Sequence, residues 1–183
     1  MEINAIGMVE FNSIAQGIDS TDAMCKVADI TLLVSKTVCP GKYISIVAGD
    51  TSGVQQAVRM GEEKAPECLV DSFMIPNIHP SLIPAIAGTA TVENCRAIGI
   101  IETFSVATLI EAADAALKTG EVEPLRVHIA FGIGGKAYVV LTGDVASVKA
   151  AVSEGSRLAG ERGQLVRDIV IPRPHPMLLE NLI

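Results

Sequence analysis

Ala5–Lys26 reads AIGMVEFNSIAQGIDSTDAMCK, and Ala97–Lys118 reads AIGIIETFSVATLIEAADAALK. The two stretches are copies of one another, and the likeness continues on both sides of small insertions. After a shift of two residues, Gly41-Lys42 matches Gly135-Lys136 and Gly49-Asp50 matches Gly143-Asp144. The same register pairs Val54, Ala57, Val58, Gly61 and Ala65 with Val148, Ala151, Val152, Gly155 and Ala159. A further shift of two pairs Leu69-Val70 with Leu165-Val166, Ile75-Pro76 with Ile171-Pro172, and His79-Pro80 with His175-Pro176. A fixed-period duplication of this length predicts two similar domains, residues 1–91 and 92–183, joined near Gly88–Asn94.

Within each copy the patterns predict the order β-α-β-β-α-β. In the first, Ala5–Phe11 is an apolar, β-rich run, and Ile14–Ala28 carries helical spacing through Ile14, Ile18, Ala23, Met24 and Val27. Ile30–Val38 and Tyr43–Ala48 read as strands separated by the turn signal Cys39-Pro40-Gly41. Asp50 is placed to cap a helix whose apolar face is Val54, Ala57, Val58 and Gly61, and Leu69–Ile75 is a fourth strand. That order is the ferredoxin-like α+β sandwich.

The chain has 183 residues and a net charge of −7, and its mean hydropathy is +0.43. Such hydropathy predicts more buried surface than one monomer's core uses, hence a homo-oligomer. No run of about 18 apolar residues is free of charges or glycine clusters, so a membrane partner is not expected. Glu2 and Glu10 stand where a secretory signal would carry basic residues. With 14 Lys+Arg, no basic cluster, no Trp and few other aromatics, nucleic acid is not expected as a partner either. Four cysteines without a secretory segment read as reduced cytoplasmic thiols.

Cys25 lies in the first helical pattern beside Met24 and reads as a small core hydrophobe. Cys68 and Cys95 have no Cys or His at metal-ligand spacing, and no CxxC occurs. Cys39 differs, because it sits in KTVCPGK, a Pro-Gly turn between Lys36 and Lys42. Neighbouring lysines favour the thiolate, although an ordinary loop cysteine would fit the same spacing. The matching turn, Phe131–Lys136 (FGIGGK), has Ile133 in its place. His79 and His175 occupy repeat-related P-x-x-H-P turns and read as structural, as does His128 in an alternating strand. No nucleophile elbow, phosphate loop or zinc-protease motif is present.

AIG-x-[IV]-E, D-A-x(2)-K, a GGK-like turn, GD-x(3)-V and I-P-x(2)-H-P each occur twice. This set resembles the domain of bacterial microcompartment (BMC) shell proteins, over nearly the whole chain. Two such domains in tandem resemble the BMC-T class, whose homotrimers form pseudohexameric tiles of a polyhedral shell. KTVCPGK followed by HIAFGIGGK is similar to the iron–sulfur subgroup of that class.

The resemblance implies a structural, non-enzymatic protein located in a microcompartment shell in the cytoplasm. It implies a pore lined by Val38, Cys39, Pro40 and Gly41 alternating with Ile133, Gly134 and Gly135. Cys39 from each of three chains would hold one [4Fe–4S] cluster, for electron transfer or cluster transport across the shell. Lys26, Lys118 and Arg173 would make the tile-edge contacts with other shell proteins, with Asn77 replacing the arginine in the first half. A redox partner enzyme in the lumen would follow. Two other readings stay open: a cluster-free tile whose pore admits a small metabolite, and a Cys39-dependent hydrolase or transferase.

Overall fold

The computed structural model describes residues 3–88, 95–129 and 132–182. The first repeat runs β1 (Ala5–Phe11), α1 (Ile14–Val27), β2 (Thr31–Val38), β3 (Lys42–Gly49), α2 (Thr51–Lys64) and β4 (Leu69–Pro76). A short helix, α3 (Leu82–Ile86), follows. The second repeat gives β5 (Ala97–Thr103), α4 (Val106–Thr119), β6 (Val122–Ile129), β7 (Ala137–Gly143), α5 (Val145–Glu161) and β8 (Leu165–Pro172), then α6 (Pro176–Leu182). None of the described helices is long and apolar enough to cross a membrane.

Each repeat builds a four-stranded antiparallel sheet, in the orders β2-β3-β1-β4 and β6-β7-β5-β8. This is the expected α+β sandwich, and the duplication extends to its irregularities. The register slips between Glu10 and Phe11 in one sheet and between Glu102 and Thr103 in the other. It slips again between Leu32 and Val34, and between Pro124 and Arg126.

Helix starts are specified alike. The Ser13 and Ser105 side chains accept from the amides of Gln16 and Thr108, while Asp50 and Asp144 cap α2 and α5. The hydrogen bonds from the Ser147 hydroxyl and the first-turn amides hold the Asp144 carboxyl below the usual carboxylate range. Its contribution to folding is therefore present at neutral pH and is lost as acid protonates it below that range.

Alternation along β1 sends Ala5, Val9 and Phe11 toward the helices, where they join Met24, Val47, Val54, Ala57 and Val58 in one core cluster. Burying each large apolar side chain in it contributes about 1.5–3 kcal/mol. In the second unit, Ile98, Leu125 and Val140 form a cluster against which Leu179 and Leu182 of α6 pack. Arg126 Nη1 donates to the Leu182 carbonyl at 3.1 Å.

Packing divides the chain differently from the sequence boundary at 91. One unit takes the described residues up to Ile78 together with those of 132–135; the other takes His79 onward apart from that turn. The tail of the first repeat thus packs with the second, where the His79 amide donates to Asp114 Oδ1 at 2.8 Å. Most of the expected Gly88–Asn94 joint lies outside the described residues.

The reading of α1 needs correction. Cys25, expected in the core, is exposed, and so are Ile14, Ile18 and Val27 of the helical spacing. The helix docks instead through Gly17, Ser20, Thr21 and Met24. Tyr43 lies so close to Gly17 that a Cβ there would stand 2.7 Å from its ring. Thr21 Oγ1 donates to the Gly17 carbonyl at 2.6 Å and is hydrogen-bonded to Ser45.

Gly155 of α5 is equally confined, since an added Cβ would meet Ile101 Cδ1 at 2.5 Å and the Ala112 carbonyl at 2.8 Å. Gly160 of the same helix has nothing within 4 Å. Gly155→Ala should therefore destabilise the protein by about 1–3 kcal/mol. Gly160→Ala should stabilise it by about 0.4–1 kcal/mol. Urea unfolding midpoints would read both, and equal midpoints would contradict the packing described.

Candidate functional site: the Cys39 turn

β2 and β3 are paired to Val38 and Lys42, leaving Cys39, Pro40 and Gly41 as the turn between them. Val38 is buried and closes the sheet; Pro40 and Gly41 are exposed, and Cys39 is partly so. The Cys39–Pro40 peptide is cis, and Gly41 has φ 73, a left-handed conformation that suits glycine. Nothing lies within 4 Å of the position a Gly41 side chain would take. The Cys39 thiol is free, with no hydrogen bond to another described residue.

Lys42 does not serve the thiol. Its Nζ lies 3.1 Å from Oε1 of Glu10, a buried carboxylate on β1, so the ammonium is already balanced. The repeat copies this arrangement, because Lys136 pairs with Glu102 of β5. Each turn lysine is thus tied to the central strand of its own sheet. Sequence reasoning assigned neither glutamate a role, although both stand in the repeated AIG-x-[IV]-E signature.

Gly132, Gly134 and Gly135 of the second turn all have positive φ. Ile133, expected at the pore with them, is partly buried. Phe131 lies outside the described residues. Gly135 belongs to the same packing unit as Cys39, and a Cβ on it would lie 3.2 Å from the Cys39 carbonyl oxygen and 3.5 Å from Pro40 Cδ. The structure therefore brings Gly135 to Cys39.

The other candidates lie elsewhere. Lys26 is exposed and paired with Asp22, whose hydrogen bond raises the lysine above its usual range. Lys118 pairs with Asp114 at 2.6 Å. Arg173 is exposed with φ 52, its amide donating to the Arg96 carbonyl at 3.0 Å. With Cys95, Arg96, Asp144, Val145 and Pro174 it lines an open cavity of about 460 Å³. Asn77, its counterpart, has φ 54. His128 stacks on Tyr138 with ring centroids 5.1 Å apart. The rings of His79 and His175 make local hydrogen bonds, to Ser81 and to the Met177 amide. Cys95 is hydrogen-bonded to Thr142 at 3.1 Å. Among the described residues no three His, Cys, Asp or Glu side chains gather as a metal site.

The BMC-domain model matches residues 5–78 and 97–174, one match per repeat. The chain belongs to the BMC-domain family. It is a tandem-domain bacterial microcompartment shell protein, of a family of structural shell components. It is 51% identical to the bacterial microcompartment shell protein PduT of Citrobacter freundii, covering 98% of this chain and 97% of that one. It is 44% identical over 85 residues to the shell protein EutM of Salmonella typhimurium, 46% of this chain and 86% of that protein. A crystal structure of a microcompartment protein from Desulfitobacterium hafniense superposes with a TM-score of 0.94 at 50% identity, covering 98% and 99% of the two chains. A fused permuted hexameric shell protein, MSM0275, shares the fold at a TM-score of 0.61 and 17% identity, with 85% and 81% covered.

Glu10 is the anchor that can be tested without reference to a ligand. Glu10→Gln should lower the unfolding free energy by about 1–3 kcal/mol, because Lys42 loses its charged partner in a partly buried place. Removing both charges, in Glu10→Gln/Lys42→Met, should recover part of that loss in urea titrations. A neutral single variant would mean that the pair does not hold the turn.

Proposed function

We propose that the chain is a shell tile made by three copies around a three-fold axis, with Cys39 of each copy supplying one thiolate to a shared [4Fe–4S] cluster at a central pore. The observation that carries this reading is the isolation of Cys39. A free, partly exposed thiol stands on a turn with open space beside it, and no second ligand accompanies it among the described residues. One thiolate does not hold a cluster, so in this reading the remaining ligands come from other copies. Three thiolates would bind three irons and leave the fourth to water, a small ligand or a partner's side chain. When bound, the cluster supplies one-electron redox chemistry, suited to electron transfer across a shell or to movement of the cluster itself.

The chain's own residues do the positioning. Lys42 and Glu10 fix the end of β3, and Gly41 leaves room for close approach. Pro40, Ile133, Gly134 and Gly135 complete the pore lining in this reading, while Val38, expected there, is buried behind the turn. Lys26, Lys118 and Arg173 are the proposed edge contacts to other shell proteins, and a redox partner enzyme in the lumen would exchange electrons with the site.

The two first helices support the assembly. Ile14 and Ile18 of α1 are 42% and 53% exposed, whereas their counterparts Val106 and Ile110 of α4 are 2% and 0% exposed. Cys25 is exposed and its counterpart Leu117 is buried. A face covered in one repeat and bare in its twin is what a head-to-tail ring leaves on a single chain, the missing cover belonging to the next copy.

Native mass measurement should find about three chains per particle. Ile18→Asp should reduce it to one chain while circular dichroism stays that of the folded protein; a trimer that survives the change would contradict the assigned face. In anaerobically purified protein, Cys39 should resist iodoacetamide and become reactive after iron chelation. Equal reactivity before and after would leave a cluster-free tile whose pore admits a small metabolite.

A further inference from the structure

We infer that Gly135 is a positioning residue for Cys39: the glycine turn of the second repeat braces the Cys39–Pro40 peptide and so sets where the thiol stands. The inference rests on the reading of Cys39 as a shared cluster ligand, but its physical basis is independent of any cluster. Gly135 packs in the unit of Cys39 and not with the strand that follows it in sequence. The place its side chain would occupy is 3.2 Å from the Cys39 carbonyl oxygen, 3.5 Å from Pro40 Cδ and 3.9 Å from the Cys39 carbonyl carbon. The nearest of these is backbone, which cannot swing aside as a flexible side chain would. Any Cβ at 135 therefore has to push the Cys39 peptide or move the glycine turn.

Two separate demands fall on Gly135, and its neighbours allow them to be told apart. Its φ of 85 is left-handed, a region that disfavours most side chains whatever the space around them. Gly132, with φ 75, shares that demand but has nothing within 4 Å. Asparagine tolerates left-handed backbone better than other side chains do while still carrying a Cβ. An Asn at 132 therefore tests the backbone alone, and an Asn at 135 adds the push on Cys39.

The difference between the repeats accords with this division of labour. The first turn carries the thiol and the second carries glycine at 132, 134 and 135, with Ile133 between them. Sequence alignment of the repeats sets Ile133 opposite Cys39, but the spatial neighbour of Cys39 is Gly135. The second turn is then a brace for the thiol as well as part of a pore lining.

The test compares Gly135→Asn, Gly135→Ala and Gly132→Asn with the parent chain, with folding checked by circular dichroism and thermal melting. The Cys39 alkylation rate is read on metal-free protein by peptide-resolved mass spectrometry, and iron retained after anaerobic purification is read on the same variants. Both changes at 135 should shift the alkylation rate and lose most of the iron, while Gly132→Asn keeps the parent's values. Should Gly135→Ala fail to fold, Gly135→Asn still decides. Equal effects at 132 and 135 would overturn the inference in favour of general turn strain, and no effect at either would overturn it outright. If the parent chain holds no iron, the cluster reading fails, and the alkylation rates on metal-free protein still judge the brace.

Discussion

The contact on which each unit depends is the one between a glycine in its central strand and two valines of the helix above it. A Cβ on Gly7 would lie 2.4 Å from Val58 and 2.8 Å from Val54, and one on Gly99 would lie 2.4 Å from Val152 and 2.8 Å from Val148. No side chain fits there, so the helix rests directly on the strand's backbone. The same strand carries Glu10 or Glu102 farther along, each tied to the lysine that follows the turn. One strand thereby sets the helix–sheet spacing and anchors the turn lysine, which accounts for AIG-x-[IV]-E standing in both repeats.

Duplication makes the differences between repeats informative, because the shared scaffold cancels. The strand orders, register slips and caps agree. What differs lies where chains or ligands would meet: thiol against glycine in the turns, a bare helix face against a covered one, Asn77 against Arg173. Selection on folding alone gives no reason for the copies to diverge at these places and to agree in the core. The proposed tile uses each difference, the first at its axis, the second between copies and the third at its edges.

Most of the fold was legible because duplication doubled every signal. Weak evidence for a turn or cap in one copy was repeated in the other, and strand alternation with the Asp50 cap placed the elements within a few residues. The orientation of α1 was not legible. Periodicity says which residues share a face and leaves open which face meets the sheet. Here the docking face is made of Gly17, Ser20, Thr21 and Met24, whose small and polar members let Tyr43 and Ser45 approach, while the greasier stripe of Ile14 and Ile18 points outward. For the site, Cys39 stood out by its turn, but two facts about it needed coordinates. Lys42 is claimed by Glu10, and Gly135, far away in sequence, lies against the Cys39 peptide.

The central claim is that Cys39 becomes a ligand only through symmetry. Iron and acid-labile sulfide per chain, determined on anaerobically purified wild type and on Cys39→Ser, test it most directly. The account predicts about four irons and four sulfides per three chains in the wild type, and neither in the variant, which should still assemble. Iron in equal amount in Cys39→Ser, or a wild type that neither holds nor reconstitutes iron and sulfide, would contradict it.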